Sequence, residues 1–252
     1  GDGIITLLSA DDELKDFVLS CNVPTVDLAE FFPDLDLPRV SGDNEAIGRE
    51  AAEHLVSRGF RHCAYYSAAD HVVSRQRLAG FRAVLESKGV TAVELIRPSQ
   101  PIPGDDNWAE GQRWLADALT DLPKPLGVFC FNDYLSSDVL EACRDAELTV
   151  PQEVAIVGVD NNELICETQG ITLSSVNHDL EKVGYLGAKM LDDILTGNAS
   201  PERALRVMPR GVTTRMSSDT FAVQSAELSK ALGFIGRNLH RRLSIAEIVD
   251  AT

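Results

Sequence analysis

Apolar and polar positions follow two rhythms along this chain. Short runs of β-branched and small apolar residues read as strands: Gly3–Leu8 (GIITLL), Val23–Leu28, His62–Ala68 (HCAYYSA), Leu126–Phe131 (LGVFCF), Glu153–Val159 (EVAIVGV) and Leu205–Pro209. Between them, apolar residues recur at helical spacing. Asp11–Leu19 is a short helix. Asp43–Phe60 is a longer one, capped by Asp43 or Asn44, with Ile47, Ala51 and Leu55 as its stripe and Gly59 as its stop. Ser74–Val90 turns Phe81, Val84 and Leu85 inward and ends at Gly89; a Pro-rich loop, Pro98–Gly104, follows. Trp108, Leu115, Ala118 and Leu119 mark a further helix, then Tyr134–Ala146, then Leu180–Leu195 ending at Gly197. Strands alternating with helices predict an α/β fold with parallel sheet covered on both faces.

After Arg215 the texture changes. The stretch 216–226 is polar and predicts a linker. Leu228, Ala231, Leu232, Ile235 and Leu239 then return to helical spacing, and Ser244 with Glu247 three residues on predicts the capped start of another helix. Two helices alone bury no core, so this end is either docked on the main body or the beginning of a third domain.

Composition narrows the class. The chain has 252 residues, 44% of them apolar, enough for one large or two small packed domains. No apolar run approaches the ~18 residues of a membrane span, and no leader pattern is visible. Five cysteines, Cys21, Cys63, Cys130, Cys143 and Cys166, are widely spaced without zinc-type pairing, which predicts reduced thiols, a cytoplasmic protein and no metal. The formal net charge of −16 repels phosphate backbones, so the chain by itself is not expected to bind nucleic acid. A small basic cluster, Arg237, His240, Arg241 and Arg242, runs against that trend near the end.

Polar residues collect where two core strands stop. Asp160 and Asn161 follow Val154–Val159, and Asn132 and Asp133 follow Leu126–Phe131. In open parallel sheets ligands bind outside the carboxyl ends of strands. Carboxylates and amides there suit a polyhydroxylated ligand, since each hydroxyl both donates and accepts. Trp108 follows a loop able to reach such a crevice and could cover the apolar face of a sugar. The alternative for any one of these residues is a turn or cap, and Asp133 is expected to cap the next helix. Nucleophile elbows, zinc-protease helices and phosphate loops do not occur in the sequence, which argues against an enzyme and implies no cofactor.

The phrases SRQRLAGF, FNDYLSSDVLEACRDAELTVPQEVAIVGVDNNE and LSSVNHDLEKVGYLGAKMLDDIL resemble the effector domain of the lactose/galactose repressor family, from Gly3 to about Arg215. The resemblance implies a two-lobe periplasmic-binding-protein-like fold (type I) around a sugar cleft. Lobe one is expected over about 1–42 and 177–205, lobe two over about 43–176 and 206–215. ALGFIGRNLHRRLSIAEIVDAT resembles the entry into an AraC-type helix-turn-helix domain, expected over 227–252. The combination is similar to the XylR-type regulators of xylose operons, as are LPKPLGVFCFND and TTRMSSD. It implies a cytoplasmic, dimeric transcription activator that responds to a pentose such as D-xylose and contacts DNA through the AraC-type part.

Residue by residue, the resemblance implies that Asp160 is the main hydroxyl-binding carboxylate. Asn132 sits against the ligand, and Arg77 reaches sugar hydroxyls with Arg75 a weaker candidate; the strand-end reading adds Asn161 and Asp133. Trp108 stacks on the sugar and His178 stands at a lobe crossover. Surface ion pairing is the competing role for Arg75 and Arg77, and hinge packing for His178. The family's strand–helix–strand–helix segment ahead of GIITLL is not seen, and the AraC-type part stops inside its first helix-turn-helix, so the chain is expected to be a portion of a regulator. A transport-type sugar-binding protein and an α/β enzyme acting on a sugar or nucleotide are the rival classes.

Overall fold

The computed structural model describes all residues except 10–11, 98–106, 199–203, 224 and 251–252. In chain order the elements are β1 (Ile4–Thr6), α1 (Asp12–Ser20), β2 (Thr25–Asp27), β3 (Arg39–Gly42), α2 (Asn44–Ser57), β4 (His62–Ser67), α3 (Val72–Ser87) and β5 (Ala92–Ile96). Then come α4 (Asn107–Asp121), β6 (Leu126–Cys130), α5 (Asp133–Asp145), β7 (Val154–Val159), α6 (Glu163–Cys166) and β8 (Ser174–Val176). The chain continues with α7 (Leu180–Leu195), β9 (Ala204–Val207), β10 (Val212–Thr213), α8 (Ala226–Arg237) and α9 (Ile245–Asp250).

These elements build two sheets and hence two lobes. Lobe one holds a parallel sheet in the order β1-β2-β3-β9. Lobe two holds the order β10-β8-β7-β6-β4-β5, parallel except for the antiparallel β10–β8 pair. Every residue of β6 and β7 is buried, because helices cover both faces of the sheet and leave no position for a polar side chain. In α2 the stripe Ile47, Ala51 and Leu55 is fully buried, and Asp43 caps the helix by accepting the Ala46 N–H. Helices α2 and α3 approach so closely that a Cβ at Gly48 would lie 2.0 Å from the Arg77 carbonyl oxygen, and one at Gly80 2.0 Å from that of Glu45. That packing fixes the start of α3 beside the strand ends.

The chain passes between lobes at Gly42–Asp43, through 177–179 and through 208–211. The three passages are tied together. Asp43 N donates to Val207 O (2.8 Å), Asn177 N to Gly211 O (2.8 Å) and Arg210 N to Asn177 O (2.9 Å), and Arg210 Nε lies 2.9 Å from Asp179 Oδ2.

The structure differs from the sequence expectation at several points, and the short elements β3, β8, β10 and α6 were not read from the pattern. Strand β5 was not read from the pattern: it is an edge strand whose Val93 and Glu94 face solvent, so it lacks a buried apolar run. Arg206 and Val207 belong to β9 in lobe one, so the lobe boundary expected after about 205 lies after 207. The expected linker does not begin at Met216. Ser217 and Ser218 are fully buried in lobe two, where Ser217 N donates to Thr172 O and Ile156 N donates to Ser217 O. Hydrogen bonding replaces apolar burial there, which hides the docking from a hydropathy reading: Ser217 Oγ donates to Ile156 O (2.7 Å), and Ser218 Oγ lies 2.7 Å from His54 Nε2. Finally, Asn132 rather than Asp133 caps α5. The Pro98–Gly104 loop lies outside the described residues. Beyond Ala222, whose N–H reaches Arg58 O, α8 and α9 contact each other, and Ser244 and Glu247 cap α9 reciprocally.

Candidate functional site

The carboxyl ends of β6 and β7 face the passage between lobes, and side chains converge there. At the end of β6, Asn132 spends its Oδ1 on the Leu135 N–H (2.9 Å). Asp133, the first helical residue, is 1% exposed, and its Oδ2 accepts the Asn162 N–H (2.8 Å). Burial pushes the Asp133 carboxyl up to about 6, against the pull of Ser175 and the Asn162 N–H and with the push of the nearby Asp160 charge.

At the end of β7 the backbone turns sharply. Asp160 (φ 101°) and Asn161 (φ 53°) both sit in the left-handed region, a conformation that costs a non-glycine residue about 1–3 kcal/mol in the least favoured cases and clusters at ligand sites. Hydrogen bonds hold the turn: Asp160 N donates to Val176 O (3.1 Å) and Asn161 N to Ser175 Oγ (2.9 Å). Asn161 Oδ1 accepts Arg215 Nη1 (2.9 Å), so this amide braces the lobe-two edge.

Asp160 meets two cationic or polarisable partners. His178, in the second passage, places Nδ1 3.2 Å from Asp160 Oδ1. Arg77, 4% exposed, donates through Nε to Asn44 Oδ1 (3.1 Å) and through Nη1 to Phe131 O, and its guanidinium carbon lies 4.5 Å from the Phe131 ring centroid. Burial would raise the Asp160 carboxyl, but the His178 hydrogen bond and the Arg77 charge outweigh it and hold the group below the usual carboxylate value. Burial in turn pulls the Arg77 guanidinium down, opposed by Asp160, Tyr65 and Asp133. Gly42 closes the cluster on the lobe-one side: a Cβ there would lie 1.9 Å from His178 Nε2.

An aromatic column continues from Arg77. His71 caps α3 by accepting the Ser74 N–H at Nδ1 (3.1 Å). Its ring lies 4.9 Å from Phe131 and 4.7 Å from Phe31, a lobe-one residue between β2 and β3. The sequence reading missed Phe31, His71, Phe131 and Asn44. The available signal was position: Phe131 directly precedes Asn132 at a core strand end, and His71 directly precedes the helix that carries Arg77.

The structure thus brings Asp160, Arg77 and His178 together, with Asn132, Asp133 and Asn161 as the frame around them. It does not bring Arg75 or Trp108 there. Arg75 pairs with Asp70 (2.7 Å) at the surface, and Trp108, 52% exposed, lines a separate surface pocket with Glu110, Gln112, Arg113 and Asp145. A cavity of about 590 Å³ on lobe two, floored by Leu140, Cys143, Leu148, Val150 and Ile171, holds none of the predicted site residues. Among the described residues no group of three or more His, Cys, Asp or Glu is placed to hold a metal, and no helix is long and apolar enough to cross a membrane. What remains is an ionised acceptor, an imidazole and a buried guanidinium beside aromatic rings, a set that can bind hydroxyl groups.

Comparisons with known proteins place the chain in a family. The xylose operon regulatory protein of Escherichia coli (strain K12) is 26% identical over 260 residues, covering all of this chain and 65% of the relative; the chain therefore spans just under two thirds of that protein. The ribose operon repressor of the same strain is 29% identical over 191 residues, covering 74% of this chain and 56% of the repressor. Among solved structures, that of the xylose-binding transcription activator xylR superposes with a TM-score of 0.83 at 24% identity, over all of this chain and 67% of that one, a likeness of fold. The model of the periplasmic binding protein-like domain matches residues 52–218, well over half of the sequence, and the chain belongs to that family.

Proposed function

We propose that this chain is the sugar-sensing part of a transcription regulator, with a pentose such as D-xylose as its effector and activation of pentose catabolic genes as its output. One observation carries the reading: Asp160 lies 3.2 Å from His178 where the chain passes from one lobe to the other, with the charge of the buried Arg77 acting on it. Its two oxygens are acceptors for ring hydroxyls, Arg77 supplies a fixed positive charge behind it, and His178 adds a donor or acceptor. The names of the relatives favour gene control over the transport role.

Sugar bridging the lobes favours a closed arrangement. A near-complete population switch needs about 5.5 kcal/mol of differential binding, which two or three hydrogen bonds to charged groups at about 1.5–3 kcal/mol each supply. Closure then reorients a dimer and the DNA-binding arms, for which α8 and α9 are the proposed entry into an AraC-type domain acting in the cytoplasm. Support for the arm comes from the alignment with the xylose regulator, which runs through α8 and α9 to cover all of this chain and 65% of that protein. A fluorescence titration with D-xylose, L-arabinose and D-glucose tests the effector, and a gel shift with the full regulator and its operon promoter, with and without xylose, tests the output. No mobility change on adding xylose would remove the proposal of xylose-driven DNA binding.

A further inference from the structure

Two contacts between the lobes, among the described residues, frame the space that sets how large a ligand can be. The first contact is at the passages, where the His178 ring rests on Gly42. The second is Phe31 of lobe one against His71 of lobe two, at 4.7 Å. His178 follows β8 and His71 follows β4, and in the sheet order these strands stand three steps apart. At about 4.8 Å per step, the two contacts are roughly 14 Å apart. Only the ends of β7 and β6 open between them, carrying Asp160 and Phe131.

Neither half of the second contact is a loose flap. The loop bearing Phe31 is pinned to the lobe-one sheet: Ala29 N donates to Asp27 Oδ1 (3.1 Å), and Arg39 Nη2 donates to Phe32 O (2.8 Å). His71 is fixed as the cap of α3. The gaps in the column are also closed. Carbon atoms in contact lie about 3.5–4.0 Å apart, so a sugar ring slipped between two aromatic rings needs them roughly 7–8 Å apart. The centroid separations are 4.7 Å for Phe31–His71 and 4.9 Å for His71–Phe131. Phe131 joins the column to the polar group, with Arg77 packed over its ring.

We infer that the Phe31–His71–Phe131 column is a size gate that shuts the cleft beyond one sugar ring, so that the site admits monosaccharides and rejects disaccharides. The inference rests on the sugar-sensing reading and goes past it: Phe31 and His71 determine ligand length, whereas Asp160, Arg77 and His178 hold the ring that fits. Polar seat and aromatic stop are separate, so they can be altered separately.

The test is calorimetric titration of the chain, and of its Phe31→Ala and His71→Asn variants, with D-xylose, D-ribose and D-glucose against xylobiose and cellobiose. Asn at position 71 keeps an oxygen able to cap α3, so this variant removes the ring with little threat to the fold. The expected result is that the unaltered chain binds at least one monosaccharide and no disaccharide. Each variant keeps its monosaccharide and gains the disaccharide by about tenfold or more, as enlarging a specificity pocket does. Equal binding of monosaccharide and disaccharide by the unaltered chain would overturn the gate while leaving the sugar-sensing reading in place. So would variants that retain the monosaccharide and still refuse the disaccharide. Binding of none of the five sugars by the unaltered chain would sink the sugar-sensing reading, and the gate with it.

Discussion

Replacing Gly42 with alanine probes the junction of hinge and site with a single methyl group. The Cβ would sit 1.9 Å from His178 Nε2 and 2.3 Å from Cδ2, well inside contact distance, while Gly42 shows no left-handed φ that would forbid alanine. The ring must therefore move, and with it the 3.2 Å link to Asp160. Overpacking of this kind costs about 1–3 kcal/mol, and a hydrogen bond to a charged group is worth about 1.5–3 kcal/mol. Set against this, Gly→Ala stabilises by about 0.4–1 kcal/mol through the unfolded chain. The net expectation is roughly 2–5 kcal/mol of lost stability and weakened sugar binding. In a His178→Ala background the obstruction is gone, so the same change should be neutral or slightly stabilising. Urea unfolding of the wild type, both single variants and the double variant gives the coupling directly, expected at about 2 kcal/mol or more. An equal cost of Gly42→Ala in both backgrounds would refute the contact and the linkage argued from it.

Other consequences are accessible to the same methods. Asp133 titrates near 6 when folded against the ordinary 3.8, so the native state holds its proton longer; its stabilising share is present below about pH 4 and is lost as pH rises through 6, ~3 kcal/mol in all. Asp133→Asn should flatten the urea midpoint between pH 4 and 7 relative to the wild type; parallel pH profiles would contradict the assignment. Ser217→Ala strips partners from the buried Ser174 N–H and Ile156 carbonyl and should cost about 2–5 kcal/mol in thermal or urea unfolding, whereas a true linker residue would cost nothing. Trp108→Ala and Arg75→Ala, both outside the cluster, should leave sugar affinity within about twofold, as surface changes do; a large loss for either would mean that the site extends beyond the strand ends.

The sequence carried the fold well because burial and pattern coincide in it. VAIVGV has no reading other than a core strand, and the stripe Ile47–Ala51–Leu55 with Asp43 ahead of it has none other than a capped helix. Where polar chemistry does the packing, the pattern fails: Ser217 and Ser218 are as buried as any leucine yet look like linker. Site residues followed the same division. Asp160 and Arg77, picked from strand-end position and family wording, do come together in the structure. Trp108 was chosen for chemistry suited to sugars, but its place in space depends on a turn that residue type does not encode. Phe31 and His71 went unnoticed because their partnership spans two lobes and 40 positions of sequence, ~a distance no local spacing rule reaches.

The most direct test of the central claim is an isothermal titration of D-xylose into the wild-type chain and into Asp160→Ala, with circular dichroism to verify the fold of both. The account predicts saturable binding to the wild type, and loss of binding in a variant whose spectrum is unchanged, since the variant removes the acceptor beside His178 on which the ring hydroxyls depend. A folded Asp160→Ala chain that binds xylose as tightly as the wild type would contradict it.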